Sequence, residues 1–223
     1  MILLPSIGYC ADDDWKTEAI KHFRLNIVLC INIAIFIIIL LCTFLRFRLL
    51  KNKNKSILQQ SSIDSLTNIL NRNGFHRQLE SIPDKNGSLL IIDIDNFKSI
   101  NDRFGHNIGD KVLQRVAHTL KSQIRDNDIL GRYGGEEFFI FISHQDVTMV
   151  KTLADRLVTA IANLDIQDID PQLEQITISI GVDKGNAEPD NFEHLYQSTD
   201  KFLYQAKNTG KNKAVIGFAT APN

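Results

Sequence analysis

The hydrophobic pattern divides the chain into two unequal parts. From Leu25 to Leu45 the residues LNIVLCINIAIFIIILLCTFL carry no charge over about 20 positions, the length that crosses a bilayer core. From Asp64 onward, short apolar runs alternate with stretches of helical spacing. Ser88–Asp95, Ile129–Tyr133, Phe138–Ile142, Ile176–Val182 and Ala214–Phe218 predict strands, with the β-branched and aromatic content of buried sheet. Asn71–Glu80, Gly109–Arg125, Val147–Leu164 and Phe192–Lys207 predict helices, and Val112, Leu113, Val116 and Leu120 share one face of the second. Interleaved helices and strands with one hairpin predict a single α/β domain, an α+β sandwich whose mixed central sheet carries helices on its faces. A domain of this length buries one core.

The first part reads as a membrane anchor. A buried helix of a soluble protein is the competing reading, but this run is longer and more uniformly apolar than such helices. Arg46, Arg48, Lys51, Lys53 and Lys55 follow it directly, whereas the preceding flank mixes Lys16, Lys21 and Arg24 with acids. The basic bias predicts a single-pass inner-membrane protein with residues 1–24 outside, a transmembrane helix at 25–45, a cytoplasmic linker at 46–63 and the domain at 64–223 in the cytoplasm. The start, MILLPSIGYCADDD, lacks the basic end, apolar length and small-residue site of a cleavable signal. Trp15 fits a membrane interface or an ordinary exposed position. The linker is predicted to be helical where it leaves the membrane. Leu50 and Ile57 are one heptad apart, but the pattern does not persist as a coiled coil.

Charge and cysteine content narrow the function. With 25 Lys and Arg against 26 Asp and Glu, the chain has no electrostatic footprint for nucleic acid. Its three cysteines, Cys10, Cys30 and Cys42, all precede the domain, which excludes a disulfide framework or cysteine zinc site there.

Two acidic sets carry the candidate chemistry. Asp93 and Asp95 are two apart at the end of a predicted strand, so their side chains share a face. Glu136 and Glu137 sit in GRYGGEEFFIF, where the glycine pair predicts a tight hairpin with positive φ. If the two strands are neighbours, the carboxylates converge. Hard oxygen ligands with net negative charge suit Mg²⁺ shared with substrate phosphates. Two such ions activate an attacking hydroxyl and stabilise leaving pyrophosphate in an in-line displacement. Between the sets, NFKSINDRFGHNIGD predicts a loop with Phe97 and Phe104 in the core. Lys98 can approach a phosphate, and Asn101 and Asp110 carry groups that read a guanine edge; a solvated loop is the alternative. His106 lies in the same loop without a second histidine at ligand spacing and reads as structural.

Five motifs in order extend these readings: DSLTNILNRNGF at Asp64–Phe75, DIDNFKSINDRFGHNIGD at Asp93–Asp110, RYGGEEF at Arg132–Phe138, ISIGV at Ile178–Val182, and YQAKNTGKN at Tyr204–Asn212. Together they resemble GGDEF-domain diguanylate cyclases, from Asp64 to about Phe218. The resemblance implies a fold similar to nucleotidyl cyclases and polymerase palms, and condensation of two GTP into cyclic di-GMP with release of two pyrophosphates. By motif position, Asp93, the carbonyl of Ile94, Glu136 and Glu137 are implied metal ligands for two Mg²⁺, with Mn²⁺ as a substitute. Glu137 is implied either to bind the second metal or to assist deprotonation of the 3′-hydroxyl. Asn101 and Asp110 are implied to read guanine. Lys98, Lys207 and Lys211 are implied to contact phosphates, and Phe97 and Arg132 to belong to the substrate site. Asp110 further implies GTP rather than mixed nucleotides. The turn carries Glu where the family name has Asp, a variant familiar among active members.

Arg125 and Asp128 fall where the family has an inhibitory Arg-x-x-Asp, which implies feedback by product; an ordinary surface pair at a helix end is the bland alternative. Because one domain binds one GTP, a homodimer is implied. The competing function is a catalytically silent cyclic di-GMP receptor or scaffold. The intact acids and glycines of the turn favour the enzyme.

Overall fold

The structure, a computed structural model, describes residues 14–60, 62–143 and 146–218. The chain forms two compact units, Met1–Leu58 and Gln59–Asn223.

The N-terminal unit is built on helix α1, Asp14–Gln60. Its first 13 residues, most of the expected outer arm, lie outside the described residues. The helix runs through the expected boundary at 24/25, and the expected linker is helical to Gln60. Among the described residues no helix is long and apolar enough to cross a membrane. The expected spanning helix at 25–45 is therefore not shown. The segment lies within α1, and the side chains at 28, 30, 31 and 34, like that of Trp15, lie outside the described ones. Those described are exposed and mostly apolar, as at Ile35, Phe36, Ile38 and Leu41.

The C-terminal unit is a mixed sheet between two helical layers. Its strands are β1 (Leu70–Asn71), β2 (Asn86–Ile94), β3 (Ile129–Arg132), β4 (Glu137–Ser143), β5 (Ile178–Asn186) and β6 (Lys213–Ile216). They lie in the order β1-β3-β4-β2-β5-β6. The β1–β3 and β5–β6 pairs are parallel; β3–β4, β4–β2 and β2–β5 are antiparallel. The helices are α2 (Arg72–Ser81), α3 (Phe97–Phe104), α4 (His106–Gln123), α5 (Val147–Ala162) and α6 (Pro189–Asn208).

Strand periodicity divides the core. Leu90, Ile92 and Ile94 of β2 pack with Phe138, Ile140 and Ile142 of β4 and with α3, α4 and α5. The alternate residues Leu89 and Ile91 pack with Phe139 and Phe141 against Phe75 and Leu79 of α2 and Phe192, Leu195 and Leu203 of α6. Every residue from Leu89 to Ile92 is buried, which is why this strand reads as a continuous apolar run. Helix α6 lies directly on β5 at Gly181. A Cβ there would come within 2.3 Å of the Leu203 backbone nitrogen and 2.4 Å of the Thr199 carbonyl oxygen.

The structure departs from the sequence expectations in three places. The segment 96–110, expected as a loop, folds into α3 and the start of α4. Asn96 enters α3 at φ 56°. Phe97 and Ile100 are its buried face. Gly105, at φ 83°, ends α3 by donating to the Asn101 carbonyl and opens α4. Strand β5 is shifted toward the C-terminus, because its partner β2 extends to Asn86 and pairs with Asn186. The two-residue β1 is too short to leave a pattern.

Candidate active site

β2 and β4 are neighbours, so the two acidic sets meet. Asp93 lies opposite Glu137 in register, and on β2 and β4 these residues share the α6 face of the sheet. Lys207, from the last turn of α6, places Nζ 2.9 Å from Asp93 Oδ2. Only 6% of Asp93 is exposed. Burial pushes the Asp93 carboxyl above its ordinary value despite the opposing pull of Lys207. Burial also raises Glu136 and Glu137, and the charge of Asp93 adds to both shifts.

The hairpin tip is fixed by its own backbone. Tyr133 and Gly134 donate to the Glu137 carbonyl at 2.9 and 3.4 Å, and Ile94 donates to the Glu136 carbonyl at 3.4 Å. The expected positive φ at the glycine pair is not found: Gly105 and Gly210 have it, and Gly134 and Gly135 do not. A Cβ at Gly134 would sit 2.8 Å from Glu137 Oε2, so a side chain there would have to displace that carboxylate. Gly135 faces open space. Arg132, expected to bind substrate, is engaged by the protein. Its Nε and Nη2 donate to the Gly135 carbonyl at 3.1 and 2.7 Å, and Nη1 donates to Asp64 Oδ1 at 3.1 Å. Burial pushes Asp64 up, but hydrogen bonds from Thr67 and Arg132 outweigh it and hold this carboxyl below its ordinary value.

Asp95 does not join the acidic set, contrary to the expectation from its spacing. It accepts from Thr177 Oγ1 at 2.7 Å, Ser179 Oγ at 2.6 Å and the Asn212 backbone at 3.0 Å. Its role is to tie the end of β2 to β5 and to the turn after α6. That turn runs through Gly210, Lys211 and Asn212 at φ 114°, 61° and 47°. It brings Lys211 Nζ to Asn96 Oδ1 at 2.5 Å. Phe97 is core, and Lys98 is exposed beside it on α3. The Asn101 carboxamide lies over Gly109, where a Cβ would be 2.0 Å from Oδ1. Asp110 is exposed on α4 one turn beyond its start, so the expected guanine readers lie on the two helices that meet at Gly105. His106 is exposed at the start of α4.

Among the described residues no group of three or more His, Cys, Asp or Glu stands assembled to hold a metal ion. Asp93, Glu136 and Glu137 nevertheless fit a divalent cation in chemistry. They are hard oxygen donors; burial raises all three, the charge of Asp93 adds to the shift of both glutamates, and a cation offsets both effects by favouring the charged form.

A second candidate site lies behind the hairpin. Asp128, 8% exposed, accepts from the Arg125 backbone at 2.9 Å. Both line a cavity of about 230 Å³ with Met149, Thr152, Leu153 and Arg156 of α5. Arg156 Nη2 donates to the Gln123 carbonyl at 2.6 Å. Sequence reasoning missed Arg156, because only packing brings α5 to the end of α4.

The model of the diguanylate cyclase GGDEF domain matches residues 61–213. The probable diguanylate cyclase DgcT of Escherichia coli is 37% identical over 158 residues, 69% of this chain and 35% of that protein. The chain spans 35% to 50% of the length of such curated relatives. Among solved structures, the GGDEF domain of DgcB from Caulobacter crescentus in complex with c-di-GMP is 28% identical, with a TM-score of 0.63 over 70% of this chain and 96% of that one. The active GGEEF domain of a diguanylate cyclase from Vibrio cholerae is 33% identical, with a TM-score of 0.55 over 66% and 92%. With the adjacent acids, the glycine turn and five of the six strands in the matched region, the chain belongs to the GGDEF-domain diguanylate cyclase family.

Proposed function

We propose that the chain is a diguanylate cyclase that joins two GTP into cyclic di-GMP and releases two pyrophosphates. The observation that carries this reading is the β2–β4 register, which sets Asp93 against Glu137 beside the Glu136 tip with Lys207 over them. Asp93, the Ile94 carbonyl, Glu136 and Glu137 would hold Mg²⁺, or Mn²⁺ in its place. When bound, the metal supplies Lewis-acid stabilisation of the triphosphate and of the developing alkoxide. Asn101 and Asp110 bind and orient guanine, and Lys98, Lys207 and Lys211 bind phosphates. In each half-reaction a 3′-oxygen bonds to the α-phosphorus of the other GTP, the bond to the β-phosphate oxygen breaks, and the hydroxyl proton goes to Glu137 or, where Glu137 holds the second metal, to solvent. Arg132 contributes by holding the turn through Gly135 rather than by touching substrate.

Two bound GTP must face each other, which supports a homodimer with one nucleotide per subunit. The uncharged run at 25–45 and its exposed apolar side chains support a membrane anchor that raises the local concentration of subunits. The Arg125–Asp128 cavity supports inhibition by product, with Arg156 as a further phosphate partner.

The deciding experiment supplies the full-length protein with GTP and Mg²⁺ and identifies products by chromatography and mass. Cyclic di-GMP from the protein and none from Glu136→Ala is the expected result. A folded protein that binds GTP without forming product would shift the assignment to a cyclic di-GMP receptor.

A further inference from the structure

Tyr133 precedes the glycine turn, and its side chain takes part in a network that the reaction chemistry does not call for. Its ring stacks on Phe139 at 3.8 Å with an interplanar angle of 5°. Tyr196 of α6 flanks both rings at 6.4 and 5.9 Å. The Tyr133 hydroxyl lies 2.9 Å from His76 Nε2 of α2. Arg72 Cζ stands 4.6 Å from the centre of the same ring, and the His76 ring meets Phe192 edge-on at 4.8 Å. Phenylalanine would satisfy the stacking alone, so the hydroxyl bond to His76 is the feature that needs explaining.

Arg132 and Tyr133 are consecutive. Arg132 binds Asp64 and the Gly135 carbonyl, and Tyr133 engages α2 and α6. Tyr133 also closes the hairpin through its backbone bond to the Glu137 carbonyl. We propose that Tyr133 is a positioning residue, anchored by His76 and Arg72, that fixes the depth and tilt of the tip carrying Glu136 and Glu137. The inference rests on the cyclase reading for its purpose and on the network alone for its geometry. His76 is faced by Arg72 and Glu80 from α2, by Tyr133 from the hairpin, and by Tyr196 and Glu193 around that hydroxyl from α6. Burial, then Arg72, holds His76 below its ordinary value, and burial raises Tyr133, so the two meet as neutral partners.

The test compares full-length protein with Tyr133→Phe, which keeps the ring, and with His76→Ala and His76→Gln on the other element. A small displacement of the acids is costly to chemistry, so Tyr133→Phe and His76→Ala should each lower kcat about five- to tenfold with GTP KM within about twofold. His76→Gln, which can still bond the hydroxyl, should recover much of the loss. The double variant Tyr133→Phe/His76→Ala should be no worse than either single one. Mn²⁺ binding with a non-hydrolysable GTP analogue, followed by electron paramagnetic resonance, provides a readout independent of turnover. Its midpoint should rise several-fold in both single variants while their melting temperatures stay close to the parent. Unchanged kcat together with an unchanged Mn²⁺ midpoint would overturn the clamp. A parent that binds Mn²⁺ and nucleotide but makes no product would refute the cyclase reading, and the Mn²⁺ midpoints would still decide the clamp.

Discussion

At the scale of single residues, the acids of the turn trade stability for chemistry. Asp93, Glu136 and Glu137 have folded values raised above their ordinary 3.8 and 4.5. Their contribution to stability is complete below those ordinary values and is lost as pH rises through the higher folded ones. Asp64 behaves in the opposite sense: its carboxyl is held below 3.8, so its contribution is present above that value and is lost as pH falls. Glu137→Gln removes a raised carboxyl without changing its size. In metal-free protein at pH 7 it should raise the melting temperature by about 1–3 °C, and near pH 4 the gain should vanish. The same variant should lose cyclase activity, since an amide cannot take the proton and is a weaker, uncharged ligand for a cation. A calorimetric scan at the two pH values, with a product assay, checks both.

At the scale of elements, the sheet was largely legible and the helical entrance to the site was not. The run SLLIIDID marks β2 because both faces of that strand are covered. The aromatic run of β4 marks its partner for the same reason. The segment 96–110 reads as polar turns because α3 is short and the start of α4 follows it directly at Gly105, whose φ of 83° lets one end where the next begins. Asp95 misleads for a different reason. Its partners Thr177, Ser179 and Asn212 lie far along the chain, and spacing within one motif carries no trace of them. Lys207 reaches Asp93 because α6 rests against β5 at Gly181. Gly181→Ala should therefore cost about 3 kcal/mol, read by chemical denaturation, and should lower activity beyond any loss of folded protein by lifting α6 away.

At the scale of the whole molecule, the candidate active site and the Arg125 cavity belong to one domain and are joined through the β3–β4 hairpin. Arg125 and Asp128 immediately precede β3, and Ile142 near the end of β4 lines the same cavity. Product bound there sits at the base of the hairpin whose tip carries the acids. Arg125→Ala and Arg156→Ala should each relieve inhibition by added cyclic di-GMP while leaving the initial rate within about twofold. Inhibition as strong as in the parent would remove the cavity from the regulatory account. The exposed apolar residues between Leu25 and Leu45 make a separate prediction at this scale. The full-length protein should sediment with membranes and resist extraction by salt, and replacing that run by polar residues should release it.

The ion pair between Lys207 and Asp93 has a consequence for the order of events. A lysine already neutralises the most buried of the acids, so a divalent ion arriving alone must displace it and leave an ammonium without its counterion. A triphosphate arriving with the ion gives that ammonium another anion to face. If the site takes both ligands as proposed, they should be heterotropically linked, each tightening the other. The lysine would then act as a resident competitor that holds stray divalent ions off until nucleotide is present.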